Sequence, residues 1–283
     1  MPKERFIVIS GATGYLGSNL AKHYASNDEN LFLIARDRKK LQKLRKSLLR
    51  SHNVQIETKA IDFAKPSAYS KLNKIRKDLN VFAAIHTVGA QAPIGSLINQ
   101  SPKLFRKSTE INFISAFLFT KFCVSRMDKE ARTSLVFFSG GGATFPRPDF
   151  GSYGSAKTAL IRMIETLSIE LNSYNISANV ISPGALPSQM MKEIITKKET
   201  VSDTELQAAT ETLHEGDLAL QKVMNLVDFL LGDEAIQISG KLISAKWDAW
   251  QNWATHMDEL RNSDVYTLRR ITGKDRGLNL GDL

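Results

Sequence analysis

At 283 residues the chain is long enough for roughly two domains of about 150 residues, although single α/β domains often reach this length. Its 42% hydrophobic and 24% charged content is that of a globular protein and excludes a disordered chain. One cysteine, Cys123, excludes an internal disulfide framework and any CxxC zinc or redox site, and no metal site is expected. The net charge of +9 is local. Residues 36–50 carry eight Lys/Arg against one Asp, a balance of +7, so the rest of the chain carries only +2. With no basic stripe interleaved with aromatics elsewhere, nucleic acid is not an expected partner. No apolar run reaches the 18 residues of a membrane span, since Lys121 interrupts the best candidate, 111–124. The apolar stretch of MPKERFIVIS is too short for a signal peptide, so a cytoplasmic protein without membrane contact is expected.

Short β-rich runs alternate with helical stretches, the pattern of a parallel sheet with crossover helices. Strands are expected at 6–10, 31–35, 54–61, 81–88, 134–139, 176–182 and 241–244. Runs such as FIVIS and LFLIA are apolar throughout, as strands covered on both faces require. Between them, Leu41, Leu44 and Leu48 repeat at helical spacing, as do Ala156, Leu160, Met163, Leu167 and Leu171. The expected fold is α/β, one doubly wound Rossmann-like domain over 1–245 with a seven-stranded parallel sheet.

The first strand runs into SGATGYLG, where Gly11, Gly14 and Gly17 are spaced GxxGxxG ahead of a helix. Glycine permits the tight turn and lets backbone N–H groups at a helix start approach a pyrophosphate. Gly11, Thr13, Gly14, Tyr15, Leu16 and Gly17 are therefore the candidate phosphate loop, although three glycines can also simply make a turn. The second strand ends in LFLIARD. An NAD site usually has an acid about twenty residues beyond the glycines. Arg36 stands there instead, and a guanidinium suits a 2′-phosphate, while the adjacent Asp37 keeps NAD open. The basic helix behind it would draw in a polyanionic cofactor or form a solvated face.

Residues 103–127 leave little polar face: Ile111, Phe113, Ile114, Phe117, Leu118, Phe119, Phe122, Cys123 and Val124 fall within them. A helix apolar nearly all round is buried on more than one side. One side is expected on the sheet and the other on a second copy, giving a homodimer or homotetramer. Cys123 is expected to pack there as a small hydrophobe.

SYGSAKTAL puts Tyr153 and Lys157 on one helical face, and no other tyrosine has lysine four residues later. An ammonium beside a phenol favours the phenolate, lowering the pKa from about 10. Such a tyrosine can give a proton to a carbonyl oxygen as hydride arrives at carbon. Ser139, ending the run FFS, could hold that oxygen.

Together these residues resemble the short-chain dehydrogenase/reductase superfamily over 5–245. The resemblance implies that Tyr153 and Lys157 are the catalytic YxxxK pair and that Asn112, in EINFISAF, belongs to a proton relay. It places Asp62 and Phe63 at the adenine, with Gly89 as the remnant of an NNAG segment that here reads HTVG. Pro183, Gly184, Leu186 and Ser188 would surround the nicotinamide, Ser188 where a threonine usually meets the carboxamide. Taken alone, Asn112 could cap or bridge helices, Ser188 could start one and Asp62 could cap one. The glycine spacing is that of the family's extended, nucleotide-sugar branch, whereas the length is that of the shorter one. Ser139 lies 14 residues before Tyr153, where the family pattern has 13, a position held here by Gly140. His86 is expected as a strand residue rather than a base, with nothing nearby to orient it.

The resemblance implies an NADP-dependent oxidoreductase, with NAD possible, acting on a small-molecule carbonyl or alcohol. Tyr153 would be the general acid, and Lys157 would lower its pKa and bind the nicotinamide ribose. Ser139 would orient the carbonyl, and Asn112 would position a water between Lys157 and solvent. Residues 185–220 would form a lid, with Met190 and Met191 lining it or packing. Two other readings are a nucleotide-linked sugar reductase or dehydrogenase, and a dinucleotide-sensing regulator. The single-domain layout counts against the first, and a sensor has no need of an activated phenol. Residues 246–283 hold all three tryptophans, Trp247, Trp250 and Trp253, near one helical face, with six basic and six acidic residues in balance. This extension is expected to pack on the body through its indoles, or to bring one to the mouth of the site.

Overall fold

The computed structural model describes residues 4–214, 218–235 and 237–280. Seven strands, β1 (Arg5–Ser10), β2 (Leu31–Ala35), β3 (Ile56–Ala60), β4 (Asn80–His86), β5 (Thr133–Phe138), β6 (Ile176–Ser182) and β7 (Leu242–Ser244), build one sheet. Every pairing is parallel, in the order β3-β2-β1-β4-β5-β6-β7. This is the expected doubly wound Rossmann-like sheet.

The apolar strands explain the layering. Successive side chains of a strand point to opposite faces, so β1 sends Ile7 and Ile9 into one core cluster and Phe6 and Val8 into the other. The first face is covered by α1 (Tyr15–Ser26), α2 (Arg38–Ser51) and α9 (Leu218–Leu231), and the second by α3 (Ala68–Asn73), α5 (Ser115–Val124) and α6 (Gly151–Glu170). Each buried Leu, Ile or Phe contributes about 1.5–3 kcal/mol by leaving water. The strand order reverses between β1 and β4. Chain connections diverge there to opposite faces, which opens a crevice beyond the carboxyl ends of these strands.

The segment expected as one helix is three pieces: α4 (Pro102–Thr109), a π-helical turn Glu110–Ile114, and α5. Phe119, Phe122 and Cys123 are buried against the sheet, while Phe117 and Leu104 stay 44% and 45% exposed. Burial holds the Cys123 thiol well above its ordinary pKa, so it packs as a small apolar group.

Helices α7 (Gln189–Thr196) and α8 (Asp203–His214) follow β6. Of the expected lid 185–220, residues 215–217 lie outside the described residues, as do 281–283 of the C-terminal extension. Within that extension, Trp250 and Trp253 are 5% exposed and join the first core cluster, Trp250 packing at 5.5 Å on Phe229 of α9. Trp247 is 78% exposed. The indoles do not share a face, because the helical turn, 3₁₀ in form, begins only at Trp250. After α10 (Met257–Asn262), the chain lies along β7. Tyr266 accepts a hydrogen bond from the Leu242 amide (2.8 Å), and Lys241 Nζ reaches the carbonyls of Ser263 and Val265. The Leu268 amide donates to Glu165 Oε1 (2.6 Å) on α6. The β7 edge is thereby covered, which removes it as a template for pairing with another chain.

Candidate active site

The glycine turn lies at the β1 side of the crevice. Gly11 has φ +74°, a left-handed conformation natural to glycine. A Cβ on Gly17 would collide with the Gly11 carbonyl, so α1 and the turn approach as closely as only glycine allows. Helix α1 starts at Gly14 with no side-chain cap and no acidic residue in its first turn. Its positive end is thus left for an anion, a cradle that fits a pyrophosphate. Thr13 lines the turn half-buried, while Tyr15 and Leu16 partly pack into the first core cluster.

Arg36 is exposed at the end of β2. Asp37 caps α2: its Oδ1 accepts from the amides of Lys39 (2.9 Å) and Lys40 (3.0 Å). Those bonds, the Lys40 one foremost, hold its carboxyl below the ordinary range. Asp62 Oδ1 accepts from the Ala64 amide (3.1 Å), capping the turn after β3. Phe63, expected at the adenine, turns inward instead. It is buried in the second core cluster, edge-on to the His86 ring at 5.7 Å.

Tyr153 and Lys157 are both buried on α6. Lys157 Nζ donates to the Phe138 carbonyl at the end of β5 (2.8 Å) and stands 5.8 Å from the Tyr153 ring centroid. The expected lowering of the phenol by its lysine is not found. Burial pushes Tyr153 up to about 12, with only Arg147 opposing it, and pushes Lys157 down to about 7.

The π turn places Asn112 to clamp Ala90. Its Oδ1 accepts from the Ala90 amide (3.0 Å) and its Nδ2 donates to the Ala90 carbonyl (2.8 Å) and to Ser108. Gly89 faces Asn112 Oδ1, Lys157 Nζ and the Met190 methyl, all within 3.6 Å of where its Cβ would stand. Asn112, Lys157, Gly89 and Met190 of α7 therefore converge.

The serine position comes out differently. A Cβ on Gly140 would collide with Tyr153 Oη, so Gly140 is the residue that abuts the phenol. Ser139 is 5% exposed, and its Oγ makes no hydrogen bond among the described residues. His86 sits in β4 as expected, but it is oriented after all. Its Nδ1 lies 2.7 Å from Ser10 Oγ and its Nε2 3.0 Å from Ser115 Oγ. Burial, aided by the Lys157 charge, holds it well below its usual pKa and therefore neutral. On the β6 side, Gly184 has φ +75° after Pro183, Leu186 is buried, and Ser188 stands at the N-cap of α7 without a side-chain cap bond.

Two residues escaped sequence reasoning. Arg147, in the loop before α6, stacks 3.8 Å over Phe150 and pairs with Glu205 of α8. Gln91 is 5% exposed, with its Oε1 buried and unbonded. Only the position of Gln91, two residues beyond Gly89, could have marked it.

A family profile described as short chain dehydrogenase matches residues 5–199. Dehydrogenase/reductase SDR family member 4 of Pongo abelii is 30% identical over 149 residues, 53% of this chain and 52% of that protein. The chain thus spans about half the length of the curated relatives it matches. An NAD⁺-bound xylitol dehydrogenase is similar in fold, with TM-score 0.75 and 20% identity over 86% of this chain and 97% of that one. An NADPH complex of an Escherichia coli short chain dehydrogenase gives TM-score 0.71 and 18% identity over 86% and 97%.

Proposed function

The chain belongs to the short chain dehydrogenase family, and from that membership we propose that it is a nicotinamide-dependent oxidoreductase acting on a carbonyl or alcohol. The observation that carries this reading is the convergence of Lys157, Asn112 and Gly89 beside Tyr153, at the carboxyl ends of β4 and β5. Gly11, Gly14 and Gly17 with the start of α1 would hold the pyrophosphate. Lys157 would hold the nicotinamide ribose, and Asp62, Pro183, Gly184 and Ser188 would border the cofactor. When bound, the nicotinamide supplies or accepts the hydride.

The chain's own part is proton delivery. A phenol pushed up to about 12 stays protonated at neutral pH, the form that donates to a carbonyl oxygen. Asn112 holds the Ala90 peptide fixed beside Lys157, and Ser139 offers an unengaged hydroxyl to the substrate oxygen. NADP is the cofactor we favour. Arg36 is exposed at the end of β2, where its guanidinium, with Glu193 as an acidic neighbour, would meet a 2′-phosphate, whereas Asp37 is occupied by two backbone amides and is poorly placed to serve a ribose hydroxyl.

In this reading residues 185–220 act as the lid, with Met190 reaching Gly89. The exposed Phe117 and Leu104 mark the face for a second copy, with the catalytic domain over 1–245 and the extension over 246–283 packed on it. Among the described residues no helix is long and apolar enough to cross a membrane. The test is loss of NADPH absorbance against a panel of ketones and aldehydes, alongside cofactor binding by fluorescence. A protein that neither binds NADPH or NADH nor reduces any carbonyl refutes the proposal.

A further inference from the structure

The apolar seat of α7 and α8 is small. Phe150, Ile194 of α7 and Ala209 of α8 form a cluster separate from the two cores of the sheet, and among the described residues Ile94 is the other member contributed by the body. A segment seated on so few buried groups opens locally far more readily than the sheet unfolds. Arg147 adds a polar fastening. Its Nε donates to Glu205 Oε1 (2.6 Å) and its Nη2 to Oε2 (2.5 Å), a two-pronged pair from the loop after β5 to α8. The two side chains are 14% and 25% exposed, and the guanidinium carbon lies 3.8 Å over the Phe150 ring. A planar fork that is stacked and partly shielded holds more firmly than an ion pair in open water.

The loop that carries Arg147 also borders the phenol. Gly140 abuts Tyr153 Oη, and a Cβ on Gly154 would collide with the Gly142 carbonyl. Thr158 Oγ1 donates to the Ala143 carbonyl (2.8 Å), so the loop is fixed to α6. Arg147 reaches from this fixed loop to α8. At the other end of the segment, the Met190 methyl of α7 comes within 3.3 Å of where a Gly89 Cβ would stand, and Lys157 Nζ within 3.6 Å. We propose that the Arg147–Glu205 pair is a latch that keeps α7 and α8 closed on the site, both side chains being positioning residues that act through this segment rather than on the reacting atoms. The catalytic consequence rests on the oxidoreductase reading above, whereas the latch is testable without turnover. Where only the closed form binds productively, apparent affinity falls in proportion to the closed fraction.

The experiment measures backbone hydrogen exchange by mass spectrometry, without added cofactor, in the wild type, Glu205→Gln, Arg147→Met and the double variant. Melting temperatures accompany it, with steady-state kinetics on NADPH and the best-reduced member of a ketone and aldehyde panel that includes cyclohexanone. Glutamine keeps the size of glutamate, and methionine keeps an apolar stem over Phe150, so each variant removes mainly a charge. In both single variants the amides of α7 and α8 should exchange about three- to tenfold faster, while those of β1, β4 and β5 stay unchanged. Melting should stay within about 3 °C of the wild type. KM should rise by a similar factor at little-changed kcat, because saturating substrate refills the closed form. The double variant should match either single one, since losing one partner already opens the latch. The proposal is overturned if α7 and α8 keep wild-type exchange, if the double variant shows the product of the two single effects, or if both single variants melt more than about 3 °C early. It is also overturned if Arg147→Met raises KM far beyond Glu205→Gln, which would put the guanidinium on the substrate. A wild type that reduces no member of the panel contradicts the oxidoreductase reading instead, and exchange, coupling and melting then judge the latch alone.

Discussion

Gly140 and Tyr153 are in such close approach that the backbone of one borders the hydroxyl of the other, with no room for a Cβ between them. The phenol position thus depends on the missing side chain. Gly140→Ala should push Tyr153 Oη aside, and a displacement of about 1 Å at a reacting group can cost about 10²-fold in rate. Tyr153→Phe keeps the ring and removes the proton, so carbonyl reduction should fall about 10²–10⁴-fold with melting unchanged. Steady-state kinetics and thermal melts of both variants check this. A Gly140→Ala enzyme with wild-type kcat/KM contradicts the packing argument, and an active Tyr153→Phe enzyme contradicts the general-acid assignment.

The opposite fates of Arg36 and Asp37 set the cofactor prediction. Asp37 is bound to the start of α2, while the guanidinium of Arg36 is exposed at the rim. Arg36→Ala should weaken NADPH about tenfold to a hundredfold, the worth of a charge-assisted bond, and leave NADH nearly unchanged. Dissociation constants from nucleotide fluorescence decide it. An equal effect on both cofactors, or a wild-type preference for NADH, shows the assignment wrong.

How much of this was legible in the sequence follows from what each residue depends on. The strands and the glycine turn were readable because apolar runs and the spacing of Gly11, Gly14 and Gly17 are local. Tyr153 and Lys157 were readable because one helical turn joins them. What failed depends on tertiary burial. The sign of the shift at Tyr153 is set by how deeply α6 sinks into the molecule, which outweighs a lysine that hydrogen-bonds to Phe138 instead. The orientation of His86 needs Ser10 and Ser115, which are 76 and 29 residues away in the chain. The break at Glu110–Ile114 is a backbone register shift inside an apolar run, and hydrophobic periodicity is blind to it.

Lys157 makes stability depend on pH. Its folded-state pKa is lowered to about 7 by burial, against an ordinary value of about 10.4. Below pH 7 both states bind the proton, and the burial penalty is fully present. Between about 7 and 10 the unfolded chain alone keeps the proton, so stability rises with pH in that window. Tyr153 acts oppositely, since its raised pKa makes the folded state the better proton binder between about 10 and 12. The melting temperature of the wild type relative to Lys157→Met should therefore climb from pH 7 to 10. A difference that stays flat across this range contradicts the buried placement of the ammonium, which is bonded to the neutral Phe138 carbonyl.

The three tryptophans of the extension should separate by role. Trp253 is 5% exposed and stacks at 4.6 Å on Tyr266, in the segment that covers the β7 edge. Trp253→Ala should cost about 3–5 kcal/mol, seen as an earlier midpoint in urea or heat. Trp247 is 78% exposed and contacts only the Lys246 ammonium among the described rings and cations, at 4.6 Å. The Lys246 side chain in turn lies against Gly184, within 3.7 Å of where its Cβ would stand, on the loop after β6. An indole so placed contributes little to folding but stands beside the loop proposed to border the nicotinamide. Trp247→Ala should leave the melting temperature within about 1 °C, as exposed substitutions do. It should raise KM for cofactor or substrate about two- to tenfold, the worth of one aromatic contact. A Trp247→Ala protein that melts early with unchanged KM, or a Trp253→Ala protein as stable as the wild type, would reverse these assignments.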